Sequence, residues 1–204
     1  MESREKNTKE KILEEALKLF AQSGYMGTSM NDIASKLGVT KAALYKHYKS
    51  KQEILDSIIE KMNELDIERV KLYEMPEGDL EKVTAEYKET AFDKIKQFTK
   101  VQFLHWTEEE FSSCFRKMLT LEQYREPQMA QLYQNYLASG PLAYMEALFS
   151  GMLGDAEKAR QTALDFYGPI FLLYSIYDGA EDKSHVIKLL EEHTDHFLQE
   201  MQIS

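Results

Sequence analysis

Residues 28–51 constrain the fold more than any other part of the sequence, because they predict two short helices joined by a tight turn. Thr28 or Ser29 can cap the first helix, and Gly38 can adopt the left-handed conformation that ends it. Thr40 can cap the second helix. The apolar residues that fall on the inner face at helical spacing are Ile33, Ala34, Leu37, Ala43, Leu44 and Tyr48. This pattern is typical of a helix-turn-helix.

The outer face of the second helix combines short, aromatic and cationic side chains. It carries Lys41, Ala42, Tyr45, Lys46 and His47. Side chains of these types suit the base edges and phosphates of a DNA major groove. An ordinary pair of surface helices with a solvated basic face would show the same spacing, so the flanking sequence has to distinguish the two interpretations.

Two further helices flank this pair. One begins at Asn7 or Thr8 and ends at Ser23-Gly24, and a long one begins at Ser50. Their apolar positions and those of the pair predict one compact core of Leu17, Phe20, Ile33, Leu37, Leu44 and Leu55. A three-helix head that leads into a long helix favours the DNA-binding interpretation.

Residues 8–55 resemble the DNA-binding domain of the TetR family of bacterial transcriptional regulators. The resemblance is carried by Ala16-Leu17-Lys18-Leu19-Phe20, Gly24-Tyr25, Thr28-Ser29-Met30-Asn31-Asp32-Ile33-Ala34 and Gly38-Val39-Thr40-Lys41-Ala42-Ala43-Leu44-Tyr45-Lys46-His47-Tyr48-Lys49-Ser50-Lys51. It implies that the recognition-helix positions at the DNA are Thr40, Lys41, Ala42, Tyr45 and His47, and Tyr48 is a further candidate DNA-binding residue. It also implies phosphate contacts from Thr28, Ser29 and Lys51, which are chemically suited to that role. Tyr45 can either hydrogen-bond a phosphate or lie against a thymine methyl group.

The charge distribution is consistent with a DNA-binding head. Residues 1–52 hold ten Lys and Arg against six Asp and Glu, a net charge of +4, although the whole chain has a net charge of −10. The remainder therefore carries −14. Because salt screens charges over about 8 Å, the acidic remainder does not exclude DNA binding by the basic head.

The fold class predicted from the rest of the sequence is all-α, with about nine helices in total. Long segments show the helical period, there is no alternating strand pattern, and the chain has only four prolines and nine glycines. We expect a helix-turn-helix domain at residues 6–66, which includes the start of the fourth helix. An effector-binding and dimerisation domain is expected at residues 67–204.

The larger region is rich in Phe, Tyr, Trp and Met. Aromatic rings with tyrosine hydroxyls and adaptable methionines can line a pocket for a flat or lipophilic molecule, and the family resemblance implies such an effector pocket. The candidate lining is Phe103, Trp106, Phe111, Phe115, Met118, Tyr133, Tyr136 and Tyr174. The alternative for each position is plain hydrophobic core.

The last two helices are expected to form a dimer contact. Their apolar faces would be exposed in a monomer, and the resemblance implies a four-helix contact between protomers. The predicted interface residues are Phe166, Tyr167, Ile170, Phe171, Val186, Leu189, Leu190, His193 and Phe197. A dimer would present two recognition helices to a pseudo-palindromic operator.

No catalytic, metal or cofactor site is expected. His105, Cys114 and Glu108 to Glu110 lie near one another in sequence, but no nucleophile elbow, phosphate loop or zinc-ligand spacing surrounds them. His193 and His196 are better explained by the dimer face and the surface than by a metal. The single cysteine, the charged N-terminus and the absence of a membrane-length apolar run predict a cytoplasmic protein.

The sequence therefore predicts a homodimeric, ligand-responsive transcriptional regulator, most simply a repressor, and not an enzyme. Its expected partners are an operator in double-stranded DNA, a small lipophilic or aromatic effector and a second copy of itself, with no membrane. The alternative is a small-molecule binding protein or enzyme that retains a vestigial DNA-binding module. Sequence-specific, salt-sensitive DNA binding discriminates between the two.

Overall fold

The computed structural model describes residues 2–203, with the side chains of residues 7–201, and every regular element in that range is an α-helix. Met1 and Ser204, the second of which ends the predicted region 67–204, lie outside the described residues. The eleven helices in the described range are α1 (Glu2–Ser23), α2 (Met30–Lys36), α3 (Lys41–Tyr45), α4 (Lys51–Leu72), α5 (Leu80–Glu89), α6 (Phe92–Thr107), α7 (Glu110–Glu122), α8 (Pro127–Leu137), α9 (Ser139–Leu153), α10 (Ala156–Gly179) and α11 (Lys183–Ile203). The all-α prediction is confirmed.

Local caps fix several helix ends. The Asp79 carboxylate accepts a hydrogen bond from the Lys82 amide at 3.0 Å at the start of α5. The Asp155 carboxylate accepts from the amides of Glu157 and Lys158 at 2.9 and 3.0 Å at the start of α10. Side chains of this type satisfy the free amides of a first helical turn. None of the helices in the described residues is both long and apolar enough to cross a membrane.

A break at residues 90 and 91 explains part of the difference between the predicted nine or so helices and the eleven described. The sequence predicts one helix from about Leu80 to His105, but the backbone is extended at Thr90 and Ala91, with ψ of 127° and 138°. The Thr90 hydroxyl donates to the Glu86 carbonyl at 2.8 Å. That bond satisfies one of the last carbonyls of α5, as a helix end requires.

The described residues fall into two compact units. The first unit comprises the chain up to Arg69 together with Glu110–Tyr133, and the second comprises Val70–Glu109 together with the chain from Gln134 onward. Helix α7 therefore packs in the same unit as the N-terminal helices, mainly against α1. The predicted functional division into residues 6–66 and 67–204 remains a prediction.

The core of the first unit contains the residues predicted for the three-helix head. Leu17, Phe20, Ile33, Leu44 and Leu55 are each no more than 1% exposed, whereas Leu37 is half-buried. This core holds α1, α2, α3 and the start of α4 together. The outer face of α3 takes no part in this core.

The core of the second unit is built largely from aromatic rings on α6, α9, α10 and α11. Phe103 stacks on Tyr174 with ring centroids 5.2 Å apart and planes 10° apart. Phe166 contacts Phe149 and Phe197, with centroids 6.4 and 4.8 Å away. Such ring pairs contribute beyond the area they bury, so these contacts stabilise the packing of the last two helices.

Candidate nucleic-acid interface

Helix α2 begins in a capping box. The Ser29 side chain accepts a hydrogen bond from the Asp32 amide at 3.3 Å, and the Asp32 carboxylate accepts from the Ser29 amide at 2.8 Å. The Ser29 hydroxyl also donates to that carboxylate, and these bonds hold the pKa of Asp32 below its usual range. Ser29 is exposed, as a phosphate contact must be. Its hydroxyl hydrogen is directed to Asp32, so the hydroxyl would have to turn away from that carboxylate to donate to a phosphate.

The turn between α2 and α3 depends on Gly38. Its φ is +67°, and its amide donates to the Ser35 carbonyl at 3.1 Å. The Val39 amide donates to the Ala34 carbonyl at 3.0 Å, which completes a helix C-terminus of the Schellman type. The left-handed φ favours glycine at this position. The predicted helix-turn-helix is therefore closed by local hydrogen bonds.

Helix α3 presents its predicted outer face to solvent. Thr40 caps it by accepting from the Ala43 amide at 3.2 Å. Thr40, Lys41, Ala42 and Tyr45 are all exposed, and the Lys41 ammonium lies 5.8 Å from the centre of the Tyr45 ring. One short helix thus gathers a hydroxyl, a cation, a methyl group and a phenol on one accessible surface. This is the chemistry that base edges and flanking phosphates require.

Thr28 and Lys51, which are predicted to contact phosphates, are less accessible than expected. Thr28 is only 3% exposed, and its hydroxyl donates to the Gly24 carbonyl at 2.8 Å. The half-buried Lys51 ammonium donates to the carbonyls of Tyr25 and Thr28 at 2.6 and 2.7 Å and lies 4.2 Å from the centre of the Tyr25 ring. Both side chains therefore hold the turn between α1 and α2 together. Two of the three ammonium hydrogens of Lys51 are used in this way.

Tyr48 and His47 are also less accessible than the rest of the predicted set. Tyr48 is 4% exposed, and burial raises the pKa of its phenol, an effect that a hydrogen bond with Ser57 opposes. The Lys9 ammonium lies 5.8 Å from the centre of its ring. His47 is half-buried, and its Nδ1 atom has no hydrogen-bond partner among the described residues. Tyr48 thus belongs to the packing of the head, while α3 itself carries the exposed groups.

Comparison with known proteins identifies this head. Residues 12–58 match the family model for bacterial regulatory proteins of the tetR family. Over this range the helix-turn-helix head matches the TetR family. The biofilm operon icaADBC HTH-type negative transcriptional regulator IcaR of Staphylococcus epidermidis is 42% identical over 52 residues, which are 26% of this chain and 28% of that protein. The match with this curated relative thus spans little more than a quarter of its length.

Solved structures resemble the chain over nearly its whole length. A transcriptional regulator of the TerR/AcrR family from Aquifex aeolicus VF5 has a TM-score of 0.63 at 22% identity, over 95% of this chain and 99% of that one. AibR in complex with isovaleryl coenzyme A and operator DNA has a TM-score of 0.60 at 20% identity, over 90% of this chain and 95% of that one. At these identities the likeness concerns the fold, which is the TetR-family all-α fold.

The residues predicted to line an effector pocket divide between the two units. Phe111, Phe115, Met118 and Tyr133 belong to the first, and Phe103, Trp106, Tyr136 and Tyr174 belong to the second. Within the second unit, Phe103 stacks on Tyr174, and Trp106 meets Tyr136 edge-on at 6.3 Å. Within the first, Phe115 and Met118 are fully buried. The pocket lining remains a prediction.

Most residues predicted for the dimer interface pack inside the second unit. The buried ones are Phe166, Ile170, Val186, Leu190 and Phe197, whereas Tyr167, Leu189 and His193 are half-buried. Phe171 is 38% exposed. The exposed apolar side chains on α10 are Leu164, Phe171, Leu172 and Ile176, and three of these were not predicted. Their helical spacing was a usable signal, but both sides of this segment are apolar and the sequence does not say which one faces inward.

The groups considered for catalysis show no catalytic arrangement. Burial is the main cause that raises the pKa of the Cys114 thiol, which disfavours the thiolate that a nucleophile needs. His105 is fully buried, with Nδ1 2.7 Å from a Glu109 carboxylate oxygen. Among the described residues, no three His, Cys, Asp or Glu side chains are grouped so that they could hold a metal ion.

Proposed function

We propose that this chain is a DNA-binding transcriptional repressor that acts as a homodimer on a pseudo-palindromic operator and responds to a small lipophilic or aromatic effector. The observation that carries the proposal is the exposed face of α3, with Thr40, Lys41, Ala42 and Tyr45, within a TetR-family domain. The IcaR relative is a negative transcriptional regulator, which favours repression over activation.

The assignment of DNA contacts follows from exposure. Lys41 and Tyr45 can reach base edges or phosphates, and Ser29 at the N-terminus of α2 can meet a phosphate. Thr28 and Lys51 act by holding the turn that leads into α2. The third ammonium hydrogen of Lys51 remains available for a phosphate oxygen in the complex.

The exposed face of α10 supports the homodimer. Leu164, Leu172 and Ile176 are 44, 59 and 42% exposed on one long helix. A Cβ atom added at Gly168 or Gly179 would meet no described atom within 4 Å, so a partner helix has room to approach the α10 backbone closely. An apolar helix face of this kind is covered in most proteins, and twofold pairing covers it on both protomers at once.

The effector part of the proposal rests on the aromatic composition and on a structural neighbour. AibR was crystallised with both isovaleryl coenzyme A and operator DNA, so a ligand and DNA bind to that protein of the same fold. Here Phe103 packs on Tyr174 and Trp106 on Tyr136, so these rings and phenol groups would surround a ligand that enters the second unit among them. An effector releases DNA only if it binds the DNA-free conformation more tightly than the bound one.

The decisive experiment measures DNA binding by variants of the α3 face. A duplex selected by this protein from a randomised library is labelled, and binding is followed by fluorescence anisotropy at several salt concentrations. We expect Tyr45→Ala and Lys41→Ala each to weaken binding about tenfold, and Lys41→Ala to reduce the salt dependence. Lys188→Ala is the matched control, because that lysine is 71% exposed and pairs with the exposed Glu192 on α11.

Two outcomes would overturn this reading. Equal binding by the α3 variants and the control would remove α3 from the interface. Binding without sequence preference would favour the alternative, a small-molecule binding protein or enzyme with a vestigial DNA module.

For the effector, a thermal-shift screen of lipophilic and planar compounds should find molecules that stabilise the protein and weaken its binding to the selected duplex. A screen in which no compound stabilises the chain would contradict the effector site.

A further inference from the structure

A glutamate in the first unit is buried at the turn between α1 and α2. Glu122, the last residue of α7, is 0% exposed. One carboxylate oxygen lies 3.3 Å from the Arg125 guanidinium, and the other has no hydrogen-bond partner among the described residues. Burying a carboxylate with incomplete partners is unfavourable for folding.

The carboxylate of Glu122 lies against the backbone of Gly24. A Cβ atom at Gly24 would overlap its Oε1 atom and lie 3.1 Å from the Arg125 guanidinium. Gly24 also has φ +80°, which favours glycine independently of this contact. Its carbonyl accepts the hydrogen bond from the buried Thr28 hydroxyl. One residue of the turn is thus held by α7 on one side and by Thr28 on the other.

Lys51 holds the same turn from the start of α4. Its ammonium donates to the carbonyls of Tyr25 and Thr28, which bracket the turn residues. Burial lowers the pKa of Lys51, and the negative charge of Glu122 opposes that effect. The Tyr25 phenol donates to Gln52 on α4 at 3.1 Å. Two side chains of opposite charge, Lys51 from α4 and Glu122 from α7, thus lie at this turn.

We propose that Glu122 is a positioning residue for DNA binding, which holds the turn at residues 24–28, and with it the N-terminus of α2, through contact with Gly24 and attraction to Lys51. The part of this inference that concerns DNA binding rests on the proposed function. Because Ser29 caps α2 immediately after the turn, a displacement of the turn also displaces the α2 N-terminus that would meet a phosphate. Helix α7, far downstream in sequence, thereby contributes to the position of the helix-turn-helix.

The first test replaces the charge and keeps the shape. In Glu122→Gln, we expect faster hydrogen exchange at residues 24–28 and several-fold weaker binding to the selected duplex, because the attraction to Lys51 is lost. The melting temperature should change little, because the removal of an incompletely partnered buried charge offsets the lost attraction. A residue with a merely structural role would lose stability and affinity together. The control is Glu110→Gln on the same helix, whose carboxylate is 72% exposed.

The second test measures coupling between Gly24 and Glu122 and remains valid if Glu122→Gln folds poorly. Gly24→Ala places a side chain at a positive φ, which is strained, and also displaces the Glu122 carboxylate. In the Glu122→Ala background the overlap with the carboxylate is gone, and the backbone strain and the contact with the exposed Arg125 side chain remain. Gly24→Ala should therefore lower the melting temperature and the affinity by less there than in the wild-type background.

The outcomes separate the inference from the proposed function. Additive effects of Gly24→Ala and Glu122→Ala, or exchange at residues 24–28 that is equal in Glu122→Gln and Glu110→Gln, would overturn the role of Glu122. If the wild-type protein selects no duplex, the proposed function fails, while exchange and melting still decide whether Glu122 holds the turn. Coupling in melting temperature with unchanged affinity would confine Glu122 to stability and overturn its role in DNA binding.

Discussion

Replacement of Leu172 by lysine should dissociate the proposed dimer. Leu172 lies on the outer face of α10 and is 59% exposed within the protomer. Complete burial of a leucine side chain contributes about 1.5–3 kcal/mol, so covering the exposed 59% would contribute about 1–2 kcal/mol. Twofold symmetry places the substitution on both protomers, which gives about 2–4 kcal/mol, or a dissociation constant raised about 30- to 700-fold.

Sedimentation equilibrium over a wide concentration range measures this constant directly. The matched control is Leu121→Lys, because Leu121 is an exposed leucine, 42% exposed, on α7 of the first unit, whereas α10 belongs to the second. The control should dimerise as the wild type does. The same dissociation constant for Leu172→Lys and Leu121→Lys would refute the α10 interface, and a wild-type chain that stays monomeric would refute the dimer altogether.

Three further predictions concern stability and its dependence on pH. Phe103→Ala should destabilise the second unit by about 3–5 kcal/mol, because a fully buried ring that stacks on Tyr174 is removed, and calorimetry should show no such loss for Phe103→Leu. Gly38→Ala should lower the free energy of unfolding by about 1–2 kcal/mol in a denaturant titration through its positive φ alone, since no described atom lies within 4 Å of an added Cβ, and a larger loss would contradict this reason. The pKa of Asp32 is lowered by Ser29, so its contribution to stability is present above the unfolded pKa and disappears as pH falls through the folded one. Asp32→Asn should therefore lower the melting temperature at neutral pH and have less effect in acid; an equal effect at both pH values would count against the capping box.

The helix-turn-helix could be predicted because its determinants are local. Ser29, Gly38 and Thr40 specify two caps and one left-handed residue within a dozen positions, and each forms the hydrogen bonds expected of it. The exposed face of α3 follows from the same register. The break at Thr90 and Ala91 carries neither glycine nor proline, so no local signal marks it.

Side-chain roles that depend on distant packing could not be read from the sequence. Lys51 has the residue type and position of a phosphate contact, but its ammonium is directed to the carbonyls of Tyr25 and Thr28. The packing of α7 with the head, which buries Glu122 beside Gly24, joins residues almost one hundred positions apart. On α10, apolar residues occupy more than one side of the helix, and only the fold shows that Phe166 points inward while Leu172 is exposed.

Methylation interference on the selected duplex shows directly whether α3 binds in the major groove. Methylation of guanine N7 blocks the major groove, where α3 is proposed to lie. We expect interference in two symmetric blocks about one helical turn or a little more apart, and weaker interference in both blocks with Tyr45→Ala. Binding that guanine methylation leaves unaffected, or interference in a single block with no symmetric partner, would contradict a dimer that reads DNA through α3.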